Sequence, residues 1–295
     1  MTSAEPYPLT LEPITAEQFR GWAGPAFPAG AEFTAGALWL ATDNSRSAAG
    51  PQAGRGLGYL RQLWGADLVG SSAAGRPDEP LPVELKLQST GETPLAVALT
   101  EDSLWYILAA EEGASLNAGF RPGLDPSRIQ EPAGGDPGRW AEFMPEFGAE
   151  TGRCLNLPRL APLLLGAGLT VAQIGPPARR LPAWPLPGRG PEDPAAGRPP
   201  TWLTSTETGP EETEIFRGPL LTVRLITTAR RSDLTDPEAA TFIWPLSGQG
   251  RVLTNRGPAP TTRLQPGRVV MLPATLGRYA IESGGTINYL LIEAH

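Results

Sequence analysis

The last third of the sequence is a series of short apolar runs, and their spacing restricts the possible folds more than any other feature. Runs such as Leu220–Leu225 and Thr241–Leu246 follow one another closely from Glu214 to Ile292. Turn residues separate them, at Ser247-Gly248, Asn255-Arg256-Gly257, Gln265-Pro266-Gly267 and Ser283-Gly284-Gly285. Short strands separated by regular turn signals are typical of all-β domains. The pattern therefore predicts a small β-sandwich or jelly roll in this part of the chain.

The first part of the chain contains the same kind of element. Leu95–Leu99 and Trp105–Ala110 are short apolar runs, and the polar stretch Thr100-Glu101-Asp102 lies between them. Their length suits buried strands joined in a hairpin. Leu81–Leu87 alternates like a strand, with its leucines and valine on one face and Lys86 on the other. On this basis we interpret Lys86 as a solvated charge and Glu101-Asp102 as an exposed hairpin tip.

Helices are predicted at only two places. Leu57–Leu68 has apolar residues at helical spacing. Asp136–Phe147 begins with Asp136, a good N-cap, and Pro137 at the first helical position. Leu163–Ile174 contains two glycines and is interpreted as a turn followed by a strand. The overall expectation is a mostly β chain with a few short helices.

Composition supports this expectation and suggests a division into domains. The chain has 295 residues with 35 glycines and 34 prolines, a mixture that favours turns over long helices. Residues 176–200 are dominated by Pro, Gly and Arg, and we interpret them as a long loop or linker that ends at about residue 205. We therefore expect an N-terminal domain over residues 1–205, including this linker, and a C-terminal domain over residues 206–295.

Charge and hydropathy exclude some classes of partner. The net charge is −7, and no basic cluster of the kind used by nucleic-acid-binding surfaces is present. No apolar run approaches the roughly 18 residues of a membrane span. The first twenty residues lack the basic start and apolar core of a signal peptide. We expect a cytoplasmic protein without nucleic-acid or membrane partners.

The chain is poor in the side chains that most often carry enzyme chemistry. His295 is the only histidine and Cys154 the only cysteine, so an intrachain disulfide and a cysteine-based zinc site are excluded. Cys154 lies in an apolar strand and is interpreted as an inert buried thiol. Any chemistry within the chain must therefore use carboxylates, arginines, hydroxyls or Lys86, which is the only lysine.

Several stretches together resemble a known family. Trp105–Ala114, WYILAAEEGA, resembles a WYIL-x-A-x-x-GA motif, and Gly21–Gly24 resembles a Trp-Gly-Gly turn. Trp244–Gly250 and Leu264–Ala274, LQPGRVVMLPA, resemble a C-terminal strand pair with its closing PA. The family is that of the small bacterial, type I phosphomannose (mannose-6-phosphate) isomerases. The resemblance implies two cupin, or jelly-roll, β-barrel domains and covers nearly the whole chain.

The residues that bind zinc in that family do not carry over. The resemblance places Ala98 and Thr100 where the family's LSVQVHP strand has its Gln and His ligands. It places Ser103 at the Glu ligand, in a shortened loop, and Leu163 at the second His. Zinc needs about four N, S or O ligands, and Ala and Leu side chains offer none. We therefore expect no zinc and no other cofactor.

The family's later catalytic-arginine stretch is also eroded. Ala183-Trp184 and Arg189 are its remnants, and Arg179 or Arg180 could replace the arginine. The candidate catalytic residues that remain are Lys86, Glu84 and Arg180.

Three interpretations stay open at this point. The first is a non-catalytic paralogue with a binding or regulatory role in carbohydrate metabolism, retaining a sugar or sugar phosphate as a possible ligand. The second is an active mannose-6-phosphate/fructose-6-phosphate isomerase with a remodelled site, either metal-free or with oxygen ligands. The third is an oligomerisation module, and the oligomeric state is left open. The second interpretation needs a group of acidic side chains that converge inside the barrel, with Lys86 and Arg121 as partners for the phosphate. The acidic candidates are Glu84, Glu101, Asp102, Glu111 and Glu112.

Overall fold

The structure is a computed structural model of the chain. It describes residues 5–15, 37–70, 81, 83–92, 95–97, 102–122, 141–159, 161–176, 199–209, 211–234, 239–255 and 261–295. These residues group into two compact units. One comprises Met1–Ile14, Trp39–Val83 and Thr204–His295, and the other comprises Thr15–Leu38 and Glu84–Leu203. The sequence-based division at 205/206 stays a prediction. The two compact units meet in sequence at Leu203/Thr204, close to the predicted division. Residues 1–14 and 39–83, however, belong to the unit that holds the C-terminal strands.

Strands account for most of the described residues, which confirms the mostly β prediction. In chain order they are β1 Leu9–Thr10, β2 Ile14–Thr15, β3 Leu38–Ala41, β4 Glu84–Ser89, β5 Leu95–Val97, β6 Ser103–Ala110, β7 Ser115–Ala118, β8 Glu146–Gly148, β9 Cys154–Leu157, β10 Leu163–Leu165, β11 Leu169–Gly175, β12 Thr201–Leu203, β13 Thr206–Gly209, β14 Glu212–Arg217, β15 Leu221–Thr228, β16 Ser232–Leu234, β17 Thr241–Ser247, β18 Gly250–Thr254, β19 Thr261–Leu264, β20 Val270–Leu272, β21 Tyr279–Ser283 and β22 Ile287–Ala294.

The C-terminal strands form two facing sheets, which we call the C-terminal sandwich. One sheet has the order β1-β20-β17-β22-β15-β14-β13, and the other has the order β16-β21-β18-β19. Apolar side chains from both sheets meet in one buried cluster, which includes Val252, Ile281, Tyr289 and Leu291. The short apolar runs of the sequence are therefore strands whose inward faces share a core, as the jelly-roll prediction requires.

The other unit contains a second pair of sheets, the N-terminal sandwich. In one sheet β12, β9, β6, β11 and β4 are neighbours in that order, and the other has the order β5-β10-β7-β8. Its buried apolar cluster joins residues of both sheets; they are Trp105, Ile107, Leu116, Ala118, Leu155, Leu157, Ala161, Leu163, Leu165, Leu169 and Val171. We call this set the N-terminal core cluster.

The predicted helix over Leu57–Leu68 is confirmed, with one interruption. Helix α1 spans Leu57–Trp64 and helix α2 spans Ala66–Val69. Gly65 between them has a positive φ of 52°, a conformation that glycine adopts without strain, and the helix breaks there. None of the described helices is long and apolar enough to cross a membrane.

Three local predictions are corrected by the structure. The first is the helix over Asp136–Phe147, which is wrong. Residues 136–140 lie outside the described residues, residues 141–143 form one helical turn, and Phe147 belongs to strand β8. Tertiary pairing of β8 with β7 prevails over the local capping signal.

The second is the end of the linker, which was predicted at about residue 205; the linker itself stays a prediction. Residues 177–198 lie outside the described residues, but β12 at Thr201–Leu203 is regular structure and pairs with β9. The third is the segment Leu163–Ile174, which forms two strands, β10 and β11, where a turn and one strand were expected.

Candidate functional site

The inward face of β4 carries polar residues instead of apolar ones. Lys86 lies opposite Gln173 of β11, and Gln173 lies opposite Trp105 of β6. Directly opposed residues share a face of the sheet, and Trp105 belongs to the N-terminal core cluster. Lys86 therefore faces the interior of the sandwich. Side chains alternate along a strand, so Glu84 and Gln88 face the same way. We call Glu84, Lys86, Gln88 and Gln173 the interior polar row.

The interior position changes the protonation of Lys86. Burial lowers the pKa of its ammonium group to about 8, and the nearby carboxylate of Glu84 opposes this shift. The interpretation of Lys86 as a fully solvated charge is therefore wrong. The alternation was read correctly, but the face opposite the leucines also points into protein. At neutral pH the amine is mostly protonated, and it can change protonation state just above neutrality.

Gln88 and Gln173 form the other half of the row, and sequence analysis missed both. The Gln88 side chain is fully buried, and its Nε2 donates to Gln173 Oε1 at 2.9 Å. The Gln88 Oε1 atom is buried and has no hydrogen-bond partner within the described part of the chain. Buried polar atoms are nearly always paired. An unpaired acceptor that faces the interior of the sandwich is therefore suited to accept a hydrogen bond from a ligand or a water molecule. The available signal was the two-residue spacing of Gln88 from Lys86.

Ser103 and Leu163, two of the four positions equated with zinc ligands, lie in the packed interior. The Ser103 hydroxyl accepts a hydrogen bond of 3.0 Å from Trp105 Nε1, and Ser103 is 5% exposed. Leu163 is 2% exposed within the N-terminal core cluster, on β10 between Val97 of β5 and Ala118 of β7. Ala98 and Thr100 lie outside the described residues.

These surroundings do not fit a zinc ion. The Leu163 side chain offers no lone pair, and the apolar side chains around it would not stabilise a divalent charge. Among the described residues, no three His, Cys, Asp or Glu side chains come together in a group that could hold a metal. The donor chemistry at positions 103 and 163 therefore does not support a site of the isomerase type.

The other acidic candidates do not converge on the interior. Asp102 is exposed, and its Oδ1 accepts a hydrogen bond of 2.9 Å from the Arg159 backbone N–H. Glu111 and Glu112 are exposed in the turn between β6 and β7, as their interpretation as an acidic turn requires. Of the described acidic candidates, only Glu84 lies on the inward face. Glu101 lies outside the described residues.

The basic candidates do not converge on the interior either. Arg121 is exposed after β7, and its Nε donates to the Met144 carbonyl at 3.4 Å. Arg179, Arg180, Ala183, Trp184 and Arg189 lie outside the described residues. Within the described part of the chain, Lys86 is thus the one candidate cation that faces the interior of the N-terminal sandwich.

Cys154 is confirmed as a buried thiol. It lies on β9 opposite Tyr106, so its side chain faces away from the N-terminal core cluster. Burial raises the pKa of the thiol to about 12. The reactive form of cysteine is the thiolate, and Cys154 is therefore chemically inert at neutral pH.

Two sandwiches of jelly-roll type, each with one buried apolar cluster, define the class of this protein as cupin-like and mostly β. Comparison with solved structures narrows the class. The mannose 6-phosphate isomerase from Bacillus subtilis superposes with a TM-score of 0.71 at 16% identity, over 98% of this chain and 100% of that one. The apo form of the enzyme from Salmonella typhimurium gives a TM-score of 0.66 at 12% identity, over 100% of both chains.

The protein therefore has the fold of the mannose 6-phosphate isomerases. At these identities the likeness establishes the fold alone. No protein-family model matches the sequence, and no curated protein matches it either.

Proposed function

We propose that this chain is a carbohydrate-binding protein with an isomerase fold, that it binds a sugar phosphate through the interior polar row, and that it does not catalyse metal-dependent isomerisation. The observation that carries the proposal is the burial of Leu163 in the N-terminal core cluster. The sequence resemblance equates this position with a zinc ligand of the family. A metal-dependent isomerase polarises the substrate carbonyl with its metal. At positions 103 and 163 this chain offers a hydroxyl that is already bonded to an indole and an apolar side chain.

The binding half of the proposal rests on the interior polar row. Lys86 with a pKa of about 8 is mostly protonated at pH 7, and its charge is less hydrated than that of an exposed lysine. Such an ammonium is a suitable partner for a phosphate. Gln88 Oε1 is an acceptor without a protein partner in the described structure, and a sugar hydroxyl would donate to it. The row therefore offers one group for the anion and one for the sugar.

The test combines metal analysis, an interconversion assay and ligand binding on the purified full-length chain. We expect no stoichiometric metal and no interconversion of mannose 6-phosphate and fructose 6-phosphate, with or without added Zn²⁺. We expect mannose 6-phosphate to raise the Tm, and Lys86→Met to abolish this shift. Arg121→Met is the matched control, because it removes an exposed cation outside the interior face, and its shift should equal that of the wild type. Turnover with bound zinc would refute the proposal.

A metal-free isomerase is the second candidate, and one observation favours it. Lys86 and Glu84 interact on the inward face, and a lysine with a pKa of about 8 can accept a proton near neutral pH. This candidate predicts slow turnover in the presence of a chelator. The rate would rise through pH 8 as Lys86 loses its proton, and Lys86→Met would remove it. The same assay at pH 7 and pH 9 with a chelator distinguishes the two functions.

A further inference from the structure

A second polar cluster lies inside the C-terminal sandwich. Arg224 of β15 lies opposite Leu291 of β22, and Ile226 lies opposite Tyr289. Ile226, Leu291 and Tyr289 all belong to the buried cluster of this sandwich, so Arg224 shares the inward face with them. Arg224 and Tyr289 occupy diagonal positions on the two strands, about 7–8 Å apart, which is within reach of long side chains. Tyr279 reaches the same cluster from the facing sheet.

Arg224 connects this interior to the surface. Its Nη1 donates to Glu212 Oε1 at 3.2 Å, and its Nη2 donates to Glu293 Oε2. The Arg224 side chain is 21% exposed, and both carboxylates are somewhat more exposed. The three groups together carry a net charge of −1. They form a charged edge beside the two tyrosines, open to solvent on one side.

Two buried polar atoms in this cluster lack partners. Within the described part of the chain, neither Arg224 Nε nor Tyr289 Oη has a hydrogen-bond partner, and Tyr289 is fully buried. Burial, followed by the neighbouring Tyr279, holds the pKa of Tyr289 well above its usual range, so its hydroxyl remains a donor. A buried donor without a partner is unfavourable in the folded state. Two such donors in one cluster, the Nε–H of Arg224 and the hydroxyl of Tyr289, indicate a place for an acceptor oxygen.

We propose that this cluster is a second binding site, separate from the interior polar row, for an uncharged hydroxylated molecule such as a sugar or polyol. A hydroxyl oxygen accepts from Arg224 Nε–H or from Tyr289 Oη–H, and its own proton can be donated to a carboxylate. The net negative charge of Arg224, Glu212 and Glu293 disfavours a phosphate.

The test measures binding of mannose and mannitol to the full-length chain by isothermal titration calorimetry. We expect saturable binding by the wild type, weakened about tenfold in Tyr289→Phe through loss of one hydrogen bond in a buried site. Tyr106→Phe is the matched control, because it removes a tyrosine hydroxyl from the N-terminal sandwich, and it should leave the affinity unchanged. Lys86→Met should also leave it unchanged, which separates this site from the one in the N-terminal sandwich.

Three results would overturn the proposal. The first is a wild type that binds neither probe, and the second is a Tyr289→Phe variant that binds both with wild-type affinity. A crystal grown with mannose could also show an ordered water alone on Tyr289 Oη. Arg224→Lys serves as a second variant should Tyr289→Phe not fold; it replaces the Nε–H donor with a methylene group and is also expected to weaken binding. Failure of this site leaves the sugar-phosphate proposal standing, since that depends on Lys86 in the other unit.

Discussion

Replacing Leu163 with alanine distinguishes packed surroundings at position 163 from an open pocket at that position. Leu163 is 2% exposed and packs in the N-terminal core cluster, with β5 on one side and β7 on the other. If the described contacts fill the space around it, truncation leaves a cavity that the two flanking strands prevent from collapsing. If Leu163 instead lined an open pocket, its side chain would already face solvent and little would be lost.

The expected magnitude follows from the atoms removed. Leu→Ala deletes three carbon atoms, and each buried methylene is worth about 0.8 kcal/mol of transfer free energy. The residual cavity adds to that loss, and fully buried leucines cost about 2.7–5 kcal/mol in measured series. We expect a loss of about 3 kcal/mol in the free energy of unfolding. An open pocket predicts less than about 1 kcal/mol.

The measurement is denaturant unfolding followed by circular dichroism and tryptophan fluorescence. Leu164→Ala is the matched control. Leu164 is the next residue of the same strand, is half-buried and lies outside the N-terminal core cluster, so its truncation should cost about 1 kcal/mol. Equal and small effects of the two substitutions would refute the tight packing around Leu163, and with it the main support for a protein that does not depend on a metal.

Further predictions follow from single residues. The pKa of Lys86 is about 8 when folded and 10.5 when unfolded, so stability rises with pH between these values. Lys86→Met should therefore stabilise the protein at pH 7, by up to about 3 kcal/mol, and the gain over wild type should vanish near pH 10.5 in pH-dependent melts. Cys154 should resist a disulfide reagent at pH 8 until denaturant is added; rapid labelling of the native protein would contradict its burial. Gly248→Ala should lower the Tm more than Gly267→Ala. Both glycines have positive φ, but only at Gly248 does an added Cβ meet backbone, at 2.3 Å from the Thr286 carbonyl oxygen.

The sequence was most informative where a local pattern is compatible with only one kind of secondary structure. Short apolar runs between turn residues predicted the strands of the C-terminal sandwich, and the WYIL stretch predicted β6. These features are local, and strand length and turn chemistry suffice to define them. The helix predicted from Asp136 failed because its end pairs with β7, a partner about thirty residues away that capping signals do not encode.

The site was less predictable than the fold. A sequence shows which side chains alternate between the two faces of a strand, but it does not show what packs against each face. Lys86 was placed on the correct side of its strand, yet that side proved to face the interior. Gln88 and Gln173 meet only through the pairing of β4 with β11, across 85 residues of sequence. Arg224 likewise gained its importance from Tyr289 on another strand, and neither was a candidate before the register was known.

The bond between Ser103 and the Trp105 indole bears on whether a metal ligand could be introduced at position 103. A glutamate at position 103 would bring a carboxylate into a place that is 5% exposed and would remove the acceptor of the Trp105 Nε1–H. Burying an uncompensated charge is far more costly than losing one hydrogen bond. This single substitution would thus impair folding before any ion could compensate for it. A metal ligand at position 103 would be tolerated only together with further substitutions that compensate its charge and give the Trp105 indole a new acceptor.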